Sequence, residues 1–177
     1  EEDRNYLRSY IQKAYNRLAK QYDPIVIEGA GSISEMNLLK QDLVNMSMAR
    51  YANASVLLVA DIDRGGVFAS CYGSIMLQSP HDRESIKGII INKFRGDARL
   101  FDEGRKMMES YCGVPVLGVI PYFDDIVIEE EDTLHGDSPE NESLNDRNFR
   151  EKQYDLLANH VRNHLDIDAL KKLMKDE

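Results

Sequence analysis

The segment Val56-Leu57-Leu58-Val59-Ala60-Asp61-Ile62-Asp63-Arg64-Gly65-Gly66-Val67-Phe68-Ala69-Ser70 constrains this chain more than any other. An apolar run of strand length stops at two carboxylates, an arginine and a glycine pair. A helix-like pattern follows. Strand, polar glycine turn, helix is how an α/β protein builds a ligand site at the carboxyl end of a strand. Gly65 and Gly66 let backbone N–H groups approach an anion, and a helix N-terminus favours negative charge. Asp61 and Asp63 have the chemistry to hold a divalent cation or to accept from a polar substrate. Arg64 can grip a phosphate or carboxylate in bidentate fashion. The plainer alternative is a connection whose Asp residues cap the following helix.

Three more apolar runs share this design. Ile25 to Ile27 leads into Glu28-Gly29-Ala30-Gly31, Gly88 to Ile91 ends at Asn92-Lys93, and Val116 to Ile120 closes at Pro121. Helical spacing predicts helices over 3–20, Leu43 to Tyr51, Val67 to Leu77 (ended by Pro80) and Asp97 to Tyr111. Nearly all-apolar strands alternating with helices predict an α/β fold, a mostly parallel sheet with helices on both faces. Glu28, Asp61, Asn92 and Pro121 then fall along one sheet edge.

A chain of 177 residues suits one principal domain. Residues 1–128 carry the α/β pattern, 129–147 read as an acidic linker, and 148–177 as a helical tail. The net charge of −9 argues against nucleic acid or an anionic membrane as partner. The two cysteines, Cys71 and Cys112, lack metal-ligand spacing and read as buried free thiols in a reducing cytoplasm. The opening Glu1-Glu2-Asp3-Arg4 is no signal peptide, and no apolar run approaches the ~20 residues that span a bilayer. With Glu at position 1, the start shown is not expected to be a natural one.

Individual residues then suggest roles. Glu28, just past a strand, suits Mg²⁺ held through water, or a hydrogen bond to its own turn. Gly29 and Gly31 supply a tight turn beside it. Asp42 and Asn45 share a helical face from which they can reach a substrate, or Asp42 can cap the helix. Asn92 and Lys93 suit a purine, the amide pairing with its edge and the Lys stem lying along the ring. Arg95 and Asp97 lie just beyond. His160 and His164, four apart in the tail, are expected on a solvated face. No Gly-x-x-x-x-Gly-Lys-Ser/Thr phosphate loop occurs in the sequence.

Taken in order, these motifs resemble cobyric acid synthase, the glutamine-dependent amidoligase of cobalamin biosynthesis. The resemblance runs over residues 8–134. It rests on Val26-Ile27-Glu28-Gly29-Ala30-Gly31-Ser32, Glu35-x-Asn37-Leu38, Asp42-x-Val44-Asn45 and Ala60-Asp61-Ile62-Asp63-Arg64-Gly65-Gly66-Val67-Phe68-Ala69. It continues through Ile91-Asn92-Lys93-Phe94-Arg95-Gly96-Asp97 and Pro115-Val116-Leu117-Gly118-Val119-Ile120-Pro121. It implies a P-loop domain of the dethiobiotin-synthetase type. There ATP phosphorylates a carboxylate of adenosyl-cobyrinic acid a,c-diamide, and ammonia from glutamine displaces the phosphate. Carried over, Asp61, Asp63 and Arg64 become catalytic, and Asp42, Asn45, Gly65 and Gly66 face the substrate. Asn92, Lys93, Gly29 and Gly31 serve ATP, and Glu28 serves Mg²⁺. The implied partners are a corrinoid and a glutaminase domain.

The sequence departs from the family at three points. The phosphate loop is missing, Ile33 replaces the usual Pro after Gly-Ser, and the glutaminase domain with its cysteine nucleophile is missing. Thr133-Leu134-His135-Gly136 resembles the segment carrying the glutaminase histidine. Phe149 to Arg162 resembles the helical tail that follows the glutaminase in longer members. An internally shortened, N-terminally truncated relative, inactive on its own, is the expectation. The alternatives are a non-catalytic binding or assembly module derived from that family, and a deviant P-loop ATPase.

Overall fold

Three runs of β-branched and other apolar residues pair into a parallel sheet of order β1-β2-β3: β1 Val56–Asp61, β2 Ile86–Phe94 and β3 Val116–Pro121. The computed structural model describes residues 2–124, 126, 127 and 147–174. Before the sheet come α1 (Glu2–Ala19) and α2 (Met46–Ala52). Helices α3 (Val67–Met76) and α4 (Pro80–Ser85) connect β1 to β2, and α5 (Asp102–Cys112) connects β2 to β3. The tail forms α6 (Arg147–His164) and α7 (Ile167–Leu173). The sheet is flanked by helices, as the alternation of elements predicts. The expected acidic linker, and Thr133 to Gly136 within it, lie outside the described residues apart from Arg147.

The core sits where β2 meets its neighbours. Ile89, Ile91, Val116 and Met108 are fully buried, with Cys71 and Ile75 of α3 and Met46 of α2 beside them. Burying each such side chain contributes roughly 1.5–3 kcal/mol. The edge strand β1 is less covered: Val59 keeps 59% of its surface exposed.

One expected strand is absent. Ile25 to Ile27 forms no strand, and Val26 is 80% exposed. Three β-branched residues supply propensity, but a strand exists only within a ladder, and no described strand pairs with this segment. The helix expected over Val67 to Leu77 does end before Pro80, and Pro80 itself opens a further helix. Ser79 caps α4, its Oγ accepting from the Asp82 N–H at 3.2 Å, and Pro80 fills the first helical position. Further along, the helix expected from Asp97 begins as a 3₁₀ turn, Ala98–Phe101, whose first N–H groups Asp97 caps through Arg99 N.

The tail packs on the sheet. Leu165 bridges to Gly118, the Asp166 N–H donates to the Leu117 carbonyl at 2.8 Å, and the Val127 N–H donates to Gln153 Oε1 at 2.9 Å. His160 and His164 are therefore not on a solvated face. His160 Nε2 donates to the Pro121 carbonyl at 2.9 Å, and its ring stacks on Phe123 at 4.4 Å. His164 Nδ1 donates to the His160 carbonyl at 2.7 Å. The i, i+4 spacing read as solvated because the tail's own pattern does not reveal that β3 has an edge to cover.

Candidate functional site

Asp61 ends β1 directly opposite Asn92 on β2, and the Ile62 N–H continues the ladder to the Asn92 carbonyl at 3.1 Å. The turn that follows is tight. Asp61 Oδ1 accepts from the Asp63 N–H at 2.9 Å, and the Gly65 N–H donates to the Ile62 carbonyl at 3.0 Å. Gly65 and Gly66 both take positive φ, +79° and +69°, which L side chains resist. Helix α3 starts at once, with its unpaired N–H groups at this edge.

The side chains here pair off. Asp61 Oδ2 lies 3.3 Å from Lys93 Nζ and 3.7 Å from Arg64 Nε. Arg95 binds Asp63 through two nitrogens, at 2.5 and 3.2 Å. The same guanidinium lies 3.9 Å from the centroid of the Tyr122 ring, just past β3. The hydrogen bond from Arg95 holds the Asp63 carboxyl below its usual range, against a smaller opposing effect of desolvation, with the charges of Arg95 and Lys93 assisting. Asp63 stays ionised. Arg64 keeps 87% of its side chain exposed. Lys93 sits at φ +60°, an unusual backbone for a non-glycine and a pattern concentrated at functional sites. Three cations thus meet two carboxylates in a chain whose net charge is −9. The edge has a local surplus of positive charge, suited to an anion.

A second cluster surrounds Gly29 to Gly31. The Asn45 amide clasps Ala30 from both sides, Oδ1 accepting from the Ala30 N–H at 3.0 Å and Nδ2 donating to its carbonyl at 2.7 Å. A Cβ on Gly29 would collide with Asn45 Oδ1. Asp42 in turn accepts from the N–H groups of Val44, Asn45 and Ser47 at 3.0, 2.8 and 2.8 Å. Asp42 and Asn45 do not share a helical face, since α2 begins only at Met46 with Asn45 at its N-cap; they frame the glycine turn and the helix start instead. Glu28 is exposed. Among the described residues, no hydrogen bond or ion pair joins this cluster to Asp61 or Asn92.

So the structure brings together Asp61, Asp63, Arg64, Gly65, Gly66, Asn92 and Lys93, and groups Glu28, Gly29, Gly31, Asp42 and Asn45 separately. Sequence reasoning gave no role to Arg95 or Tyr122. Their position, each just past a strand end, was the available signal. A concavity of about 590 Å³ lies elsewhere, between α6 and α7. Tyr154, Leu157, Val161 and Ile167 line it with Arg162 and Lys171. No carboxylate is among its lining residues.

A family model described as AAA domain matches residues 2–130. The chain belongs to that family. It is also similar to curated cobyric acid synthases. That of Phocaeicola vulgatus is 66% identical over 133 residues, 75% of this chain and 27% of the relative. That of Bacteroides fragilis is 53% identical over 176 residues, 97% of this chain and 34% of the relative, so the match takes in the helical tail. The Yersinia enterocolitica protein is 48% identical over 167 residues, 93% of this chain and 31% of the relative. The chain spans a quarter to a third of the length of these relatives. The resemblance read from the motifs is borne out over the residues matched. No solved structure matches. Among the described residues no helix is long and apolar enough to cross a membrane.

Proposed function

We propose that this chain forms part of the amidoligase unit of a cobyric acid synthase, whose activity is ATP- and glutamine-dependent amidation of carboxylates on adenosyl-cobyrinic acid a,c-diamide. The observation that supports this reading best is the convergence of Asp61, Asp63, Arg64, Asn92 and Lys93 on one sheet edge with surplus positive charge. Arg64, extended and exposed, grips a substrate carboxylate. Lys93 orients Asp61 toward the same space. The Gly65–Gly66 turn keeps the backbone bare of side chains, so that a bulky corrinoid can approach.

ATP, when bound, would supply the phosphoryl group that turns a substrate carboxylate into an acyl phosphate, from which ammonia would displace phosphate as the amide forms. Asn92 would hold the adenine: its Oδ1 accepts from the Lys93 N–H at 2.9 Å, which leaves Nδ2 to donate. Gly29 and Gly31 keep the first turn narrow, with Asn45 and Asp42 holding it. For Mg²⁺ the residues fit only an open site. Among the described residues no three His, Cys, Asp or Glu side chains converge. Glu28 would supply a single carboxylate, the remaining ligands being water and phosphate oxygens, as Mg²⁺ commonly accepts.

On its own the chain is expected to make no amide. Ammonia release from glutamine needs an activated nucleophile. Cys71 and Cys112 are both buried, and burial first, then the neighbouring Cys112, pushes the Cys71 thiol up to about 11. The test is a hybrid enzyme in which this chain replaces the matching segment of the full-length Phocaeicola vulgatus relative. Amidation of the corrinoid diamide by the folded hybrid supports the proposal. A folded hybrid that makes no amide overturns it.

A further inference from the structure

We propose that Arg95 is a positioning residue of the strand-edge site. Seated between Asp63 and the Tyr122 ring, it fixes the Asp61–Gly66 turn and keeps Asp63 from neutralising Arg64. The role of Arg64 as anion anchor is taken from the reading above; the contact itself stands apart from it.

The geometry carries this. Asp63 follows β1, Arg95 follows β2, and Tyr122 follows β3. One guanidinium therefore links the carboxyl ends of all three strands. It does so with a two-pronged ion pair on one side and an aromatic face on the other. The Tyr122 N–H is itself bonded to the Phe94 carbonyl at 2.8 Å, so the ring's backbone is registered to β2 one residue before Arg95. A ring-backed guanidinium is ordered before it meets its carboxylate, and the planar fork then fixes the orientation of that carboxylate.

Little stability rides on the contact. The Arg95 side chain is 57% exposed and that of Asp63 is 35% exposed, and ion pairs so open to water contribute little. What the contact decides is which charges remain available. With Asp63 occupied by Arg95 and Asp61 drawn to Lys93, Arg64 is left extended, its only ion-pair approach among the described residues being 3.7 Å. Without Arg95, the Asp63 carboxylate sits next to Arg64 in sequence with no bidentate partner. It then competes with an incoming anion.

The experiment has two arms. In the first, the Asp63 carboxyl is titrated by ¹³C NMR in this chain, in R95M, R95K and Y122L. The midpoint is expected to rise in R95M, and to rise less in R95K and Y122L, with melting temperatures changed by only a few degrees. Y122F, which keeps the ring and removes only the hydroxyl that also acts on Arg95, is expected to shift the midpoint less than Y122L does. In the second arm, kcat and KM are measured in the hybrid enzyme. R95M is expected to lower kcat by up to about 10²-fold, the cost of a misplaced reacting group, and R95K to recover part of it.

An Asp63 midpoint that does not move in R95M overturns the contact. A midpoint that moves while an active hybrid keeps its normal kcat overturns the positioning role. A parent hybrid that folds but has no activity overturns the functional reading and the catalytic part of this proposal, while the titration still judges the contact.

Discussion

Asp61 and Asn92 stand opposite one another as register partners, the last residue of β1 beside the seventh of β2, and the Ile62 N–H carries the ladder one bond further. Register partners on adjacent parallel strands project from the same face of the sheet, and these two lie near its carboxyl edge. That edge is where open α/β sheets hold ligands. Lys93 from within β2 and Arg64 from the turn after β1 then converge on Asp61.

ATP·Mg²⁺ is expected to bind this chain weakly. Charge-assisted hydrogen bonds contribute roughly 1.5–3 kcal/mol each, and the sequence contains no phosphate loop to supply several of them. The loss is on the order of 10³-fold or more in affinity. Titration calorimetry checks this. A sub-micromolar dissociation constant would show that another segment cradles the phosphates.

Cys71 and Cys112 are expected to resist alkylation in the folded chain. With the Cys71 thiol pushed up to about 11 by burial, the reactive thiolate is about one part in 10³ at pH 8. Burial also pushes the Cys112 thiol up. Labelling by iodoacetamide, followed by mass spectrometry with and without urea, should find both thiols modified only after unfolding. Rapid labelling of the native chain would contradict their place in the core.

Asp82 makes the fold acid-sensitive. Buried at 4% exposure, it would be pushed up by desolvation, but hydrogen bonds from Arg50 and Ser79 outweigh that and hold it below the usual range. A carboxyl whose pKa is depressed by folding contributes stability above its unfolded value, about 3.9, and loses it as pH falls through the folded value. The melting temperature should therefore drop as pH is lowered from about 4 through the folded value. D82N should be less stable at pH 7 by about 1–3 kcal/mol, because Arg50 loses its partner, and its melting temperature should vary less with pH. Parallel curves for the two proteins would rule out this contribution.

Gly118 is expected to control tail docking. A Cβ there would come within 2.5 Å of the His164 carbonyl oxygen and 2.7 Å of Leu165 Cδ1. The first of these is backbone and cannot swing away. G118A should cost about 1–3 kcal/mol of docking. Hydrogen exchange at the Asp166 amide reports it, since that N–H bonds to Leu117 across the junction. Loss of protection at Asp166, with the β2 amides still protected, is the expected result. Unchanged protection would show that the junction has room.

The sheet was legible because Val56 to Ala60, Gly88 to Ile91 and Val116 to Ile120 are unbroken apolar runs, each stopped by polar or turn residues. Ile25 to Ile27 has the same composition, yet pairing is a property of two strands and one segment cannot show it. Ser79-Pro80-x-Asp82 is a helix start that a breaker reading of Pro80 concealed. At the site, Asp61 to Gly66 and Asn92-Lys93 stood out by chemistry at strand ends. Arg95 and Tyr122 did not, because their meaning lies in a contact across three strands. His160 was misplaced for a similar reason: its partners, Pro121 and Phe123, are far away in sequence.

The most direct test measures amidation rate and melting temperature together for D61N, D63N and R64A in the hybrid enzyme. These side chains lie at a partly exposed edge, where substitutions usually change stability by within about 0.5 kcal/mol. Removing a group that orients a carboxylate or stabilises developing charge costs on the order of 10²-fold in turnover. The expected result is three variants that melt within a few degrees of the parent and turn over at about a hundredth of its rate. If all three melt many degrees lower, or all three keep the parent's rate, the Asp61–Gly66 segment is a structural turn and not part of an amidation site.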